Sequence, residues 1–154
     1  VATVKVEGLD SAFRGLDRAS VTRALGLAVS VTAKQVRNRM ATYPPETEAN
    51  RPKPYPGQWY QRLWGQRRAL AGGGVGGSNT SEQLQYSWRR RIVSPLTQHV
   101  QTPVSYASLV QGANDQTDVH RQHGWHTDEQ IADEVCTDPR VDAEIMAVFD
   151  KMLR

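Results

Sequence analysis

Between residues 11 and 40, largely apolar positions recur every three or four residues. Val21, Leu25, Ala28, Thr32, Val36 and Met40 form one line, and Phe13, Leu16, Ala24, Leu27 and Val31 widen it. That spacing predicts one long amphipathic helix. Asp10 or Ser11 offers its N-cap, and Pro44 and Pro45 fix its stop. Arg14, Arg18, Lys34 and Arg37 are expected on its water face. Ahead of it, Ala2–Val6 alternates and predicts a short strand.

The next sixty residues change character. Residues 43–58 hold five prolines, which deny the chain ladder donors and helical continuity, so the stretch reads as stiff and extended. Trp59, Tyr60 and Trp64 follow directly, and residues 71–80, AGGGVGGSNT, form a Gly-rich loop. Leu84, Tyr86 and Trp88 then alternate with polar residues, predicting a half-buried strand that reaches toward Val93. Ser94-Pro95 marks a turn, and Gln98–Thr102 is the expected hairpin partner. Val104–Gln111 suggests a short helical turn. Thr127 with Gln130 forms a capping-box pattern ahead of a short acidic helix. Asp138-Pro139 opens a final helix with Val141, Ile145, Val148 and Met152 on its buried face. This order of elements predicts a single α+β domain over residues 1–154: a long N-terminal and a C-terminal helix packed on a small antiparallel sheet.

Composition narrows the class. At 154 residues the chain has room for one hydrophobic core, and its 38% hydrophobic content is low for a compact monomer. Either long polar loops or stability borrowed from an oligomer fits that shortage. A single cysteine, Cys136, excludes an internal disulfide framework and a multi-cysteine metal site. No apolar run approaches membrane-spanning length, and the opening residues lack a signal-peptide pattern, so the expectation is a protein made in a reducing cytoplasm. The net charge of +3 is unevenly spread. Residues 51–110 carry eight Lys/Arg against one acid, Glu82, whereas residues 111–154 carry four Lys/Arg against ten Asp/Glu. Such a split either closes on itself within the fold or pairs between copies.

No pattern for catalysis stands out. His120, His123 and His126 could ligate zinc, but no H-E-x-x-H accompanies them, and Gly124 interrupts a regular helix there. The Gly-rich loop lacks the G-K-[ST] of a phosphate loop. Arg89, Arg90 and Arg91 beside Trp88 suit nucleic-acid contact, which makes a nucleic-acid-binding module the alternative reading. On a strand, however, Arg90 faces away from Arg89 and Arg91, and the patch divides.

Five segments carry a resemblance: TYPP (Thr42–Pro45), QWYQR (Gln58–Arg62), TSEQLQYSW (Thr80–Trp88), TPVSYASLVQG (Thr102–Gly112) and HRQHGWHT (His120–Thr127). In this order, between a long N-terminal helix and a terminal helix, the series resembles the small tail-component proteins of long-tailed bacteriophages, called tail-completion, tail-terminator or neck proteins. The resemblance covers about residues 1–150. It implies a non-enzymatic structural subunit of a ring, usually of six copies, at the head–tail junction of the virion. Its implied neighbours are the connector and tail-tube proteins, with DNA passing through the lumen and no membrane contact. It implies no cofactor and no metal. The aromatics Trp59, Tyr60 and Trp64 are of the type that anchors interfaces. With the charge split, they give the expected contact residues: these three and Arg89, Arg90 and Arg91 on one side, and Asp128, Glu129, Asp133 and Glu134 on the other.

Overall fold

A computed structural model describes residues 2–4, 18–45, 47 and 82–153 of the chain. The described elements are β1 (Ala2–Val4), α1 (Arg18–Met40), α2 (Glu82–Ser87), β2 (Arg89–Ser94), β3 (Thr97–Gln101), α3 (Ala107–Gln111), α4 (Asp118–Gln122), α5 (Asp128–Cys136) and α6 (Pro139–Leu153). The fold is α+β, with the long and the C-terminal helices as expected. The elements fall into two compact units. The first comprises β1, α1, the β2–β3 hairpin, α5 and α6, and the second holds residues 41–88 and 102–127.

In the first unit β3 is the central strand of a three-stranded antiparallel sheet of order β1-β3-β2. Val4 lies opposite Gln98, and Arg90 lies opposite Val100. β3 alternates between covered and half-covered positions, with Gln98 and Val100 buried. Every residue of β2 from Arg89 to Val93 is exposed, as on an edge strand, and a register shift between Ile92 and Ser94 bends its end. α1 packs against the sheet and also against α5 and α6. Its buried line is Ala24, Ala28, Val29, Thr32, Ala33, Val36 and Met40, a stripe rotated slightly from the expected one. Small residues on that line let neighbouring elements come close. A Cβ on Gly26 would stand 2.8 Å from the carbonyl oxygen of Pro95, so the hairpin turn rests on α1 only because the residue is glycine.

Acid–base pairs tie the helices of this unit together. Arg39 donates to Glu134 at 3.1 Å and also to Asp138, and Gln35 donates to Glu144 at 2.8 Å. Asp138 begins α6 as the sequence suggests: its carboxylate accepts from the backbone N–H of Arg140 at 2.9 Å and from the Arg140 guanidinium. These donors hold its carboxyl down at about 2. The face of α6 expected to be covered is so in part, with Val141 buried and Ile145, Val148 and Met152 half-buried.

The second unit departs from expectation at Leu84–Trp88. Residues 82–87 are helical, Leu84 and Trp88 are buried, and Tyr86 is 75% exposed. Leu84 and Trp88 stand four apart, so one helical face collects both, and the strand begins only at Arg89. Around them, Trp125 is buried with its ring edge-on to Tyr43 at 4.9 Å. The buried Gln116 donates to the backbone oxygens of Val110 at 2.9 Å and Trp125 at 2.8 Å. Gly124 takes a left-handed φ of 82° that lets α4 end and the chain turn into Trp125.

Candidate functional site

The first unit places its two charged surfaces at opposite edges of one sheet. β2 forms one edge and bears Arg89, Arg90 and Arg91. β1 forms the other, and α5, with Asp128, Glu129, Asp133 and Glu134, packs beside it and α1. Within this unit the β2 arginines and the α5 carboxylates therefore do not pair with one another. Among the described residues no carboxylate pairs with Arg89, Arg90 or Arg91, nor with Arg18 or Arg23 on α1. Among the described residues, cations without a carboxylate partner on one side and exposed carboxylates on another polarise the unit electrically.

The individual residues divide by register. Arg90 lies opposite Val100, on the α1 side of the sheet, and donates to the backbone oxygen of Ser30 at 3.0 Å and to its hydroxyl at 3.1 Å. Arg89 and Arg91 lie opposite Gln101 and His99, on the other face. The triplet is split, as strand geometry requires. On α5, Glu129 and Asp133 are exposed, whereas Glu134 is engaged by Arg39. Ile131 and Val135 hold the helix to its own unit. Trp59, Tyr60 and Trp64 lie outside the described residues.

A groove that the sequence did not signal opens between α1 and the basic edge. Ala19, Thr22, Gly26, Leu27 and Ser30 line one wall at helical spacing, and Ile92, Pro95 and Gln98 line the other. It is a shallow, open groove of about 830 Å3, with Arg18 and Arg23 at its side. Leu27 and Ile92, expected to seek cover, are 42% and 73% exposed. Gln98 is 4% exposed, yet its carboxamide oxygen has no hydrogen-bond partner among the described residues. The only early hint was Leu27, which sits off the tightest line of the α1 stripe.

The histidines of the second unit are engaged locally. His120 Nδ1 shares a hydrogen bond of 2.7 Å with the Thr117 hydroxyl, and its ring stands edge-on to Trp125. Burial pushes its pKa below the ordinary imidazole value. His123 Nδ1 donates to the Val119 carbonyl at 2.6 Å. Among the described residues no three His, Cys, Asp or Glu side chains gather as a metal site. The Cys136 thiol is exposed, and partial burial with the nearby Asp133 and Asp142 carboxylates raises its pKa, which disfavours the thiolate. No described helix is long and apolar enough to cross a membrane. Comparison of the chain with family models, with curated proteins and with solved structures finds no match.

Proposed function

We propose that the protein is a structural subunit that assembles head to tail into a ring, in the role of a phage neck or tail-completion protein. The observation that carries this reading is the placement of arginines without a carboxylate partner among the described residues on one edge strand of a small sheet, and of exposed carboxylates on the helix beside the other edge strand. A ring needs two different, complementary surfaces on each copy, set apart on the subunit. Opposite charges at opposite edges meet that need, whereas a twofold dimer needs only one self-complementary patch. Exposed ion pairs contribute only about 0–1 kcal/mol each, so the charges set orientation and association rate while apolar contacts hold the copies together. The ring's position in the virion, its six copies, its connector and tail-tube neighbours and the DNA in its lumen come from the resemblance.

Reversing Arg89 and Arg91 to Glu tests the reading without touching the Arg90–Ser30 contact. Assembly in low salt should slow or stop while the circular dichroism of the monomer stays unchanged. Reversing Glu129 and Asp133 to Lys in the same chain should partly restore it. Wild-type assembly by the arginine-reversed chain would remove charge register from the account. Should the arginines instead bind duplex DNA with a steep salt dependence and no assembly occur, the nucleic-acid-binding module replaces the ring.

A further inference from the structure

We propose that the outer edge of β2 pairs, main chain to main chain, with β1 of a second copy, so that the sheets of neighbouring copies join into one continuous sheet. The inference rests on the ring reading and names its backbone contact. β1 and β2 are the two edge strands, and among the described residues neither has a further strand on its outer side. β2 is exposed at every residue from Arg89 to Val93, with Ile92 at 73%. The row of N–H and C=O groups on such an edge is a template for another strand.

Charge selects which strand it accepts. A second β2 would set Arg89, Arg90 and Arg91 against the same three arginines, and like charges on adjoining strands repel. β1, Ala2–Val4, carries no charge, and α5, which packs against it, brings the exposed Glu129 and Asp133. α5 contacts both β1 and α1, so it arrives with β1 on the α1 side of the joined sheet. On that side Arg18 and Arg23 flank the open groove without a carboxylate partner among the described residues. Topology agrees with charge. β1 and β2 are both antiparallel to β3, so they run in the same direction. A copy related by rotation therefore presents its β1 to β2 as a parallel partner. Each copy gives one edge and accepts on the other, which is the heterologous contact of a ring. The rows across the sheet fix which positions meet. Thr3 is in register with His99 and Arg91, and Ala2 with Val100 and Arg90. Across the joint, position 3 must fall on the face of Arg89 and Arg91, not on that of Arg90.

Crosslinking in a Cys136→Ser background reads the joint. Copies carrying Thr3→Cys are mixed with copies carrying Arg89→Cys, Arg90→Cys or Arg91→Cys and oxidised, with each kind alone as a control. A disulfide-linked dimer is expected from the mixture with Arg89→Cys or Arg91→Cys, and none from the mixture with Arg90→Cys or from any control. Hydrogen exchange of the wild-type chain reads the same joint without a variant. Exchange over residues 89–94 should slow roughly tenfold or more between dilute monomer and assembly, whereas residues 97–101, already paired on both sides, should change little. Oligomers in native mass spectra with β2 exchanging as fast as in the monomer would overturn the joint and leave the ring reading standing. A crosslink from Arg91→Cys alone would also overturn it, as a pair of β2 strands. Monomers at every concentration would remove both.

Discussion

The two units of this chain are held together by different means. In the first, a 23-residue helix, a 15-residue helix, α5 and β3 together bury aliphatic side chains: Ala24, Val29, Val36, Met40, Val100, Ile131, Val135 and Val141. Ion pairs then fasten the helix ends. The second unit has described helices of only five or six residues, too short to sustain themselves. It compensates with the buried Trp88 and Trp125 and with Gln116, whose side chain satisfies the backbone oxygens of Val110 and Trp125. The difference teaches where function can sit. The first unit completes its core with small aliphatics and leaves Leu27, Ile92, Val93 and Met146 at the surface, which suits a body that contacts others. Among its described residues the second buries Trp88 and Trp125 but leaves Tyr86, Leu109 and Val119 exposed, so it too offers apolar surface.

The sharpest way to break the comparison is to remove an aromatic. Trp125→Ala should cost about 3–5 kcal/mol, and Trp88→Ala should fall in the same range. The loss should concentrate in the second unit, read as amide exchange between residues 102 and 127. Uniform loss across both units would show that they fold as one. Next in size is Arg39→Met, which removes the cation shared by Glu134 and Asp138. It should lower the melting temperature and loosen α5 and α6, and the penalty should shrink as acid protonates Asp138. A melting curve indistinguishable from wild type at neutral pH would make the ion pairs ornamental.

Acid should separate the units in order. His120 has its pKa lowered by burial, so the unfolded chain binds the proton first. Its contribution to stability is intact above about pH 6.5 and lost as the pH falls below that value. Asp138 has its carboxyl lowered to about 2, so its contribution is intact above about pH 4 and lost as the pH falls toward 2. Amide spectra followed down in pH should therefore perturb the second unit before the first. Simultaneous change in both would contradict the assignment of these two groups. The smallest expected effect is Gln98→Met. Exchanging a buried oxygen without a partner for an apolar group of similar shape should be neutral, or stabilising by up to about 1 kcal/mol. A clear destabilisation would mean that the carboxamide is satisfied by residues beyond those described.

Much of the first unit was legible in the sequence. The α1 repeat, the Ser94-Pro95 turn and the Asp138-Pro139 helix start are local signals, each written within a few residues. Leu84, Tyr86 and Trp88 misled because Leu84 and Trp88 satisfy both a two-residue and a four-residue period. Only Tyr86 distinguishes the two, and its exposure is set by tertiary packing. The charge split was visible by counting, but its placement at opposite sheet edges depends on strand order, which no local pattern encodes. The groove was invisible for the same reason. Its walls come from residues 18–30 and 92–98, and each wall by itself reads as an ordinary apolar face.

Native mass spectrometry of the intact chain at low salt tests the central claim most directly. The account predicts one dominant closed species of several copies, six by the phage resemblance, that forms more slowly as salt is raised and the charged edges are screened. A monomer that persists at all protein concentrations, or an even ladder of open chains with no preferred size, would contradict it.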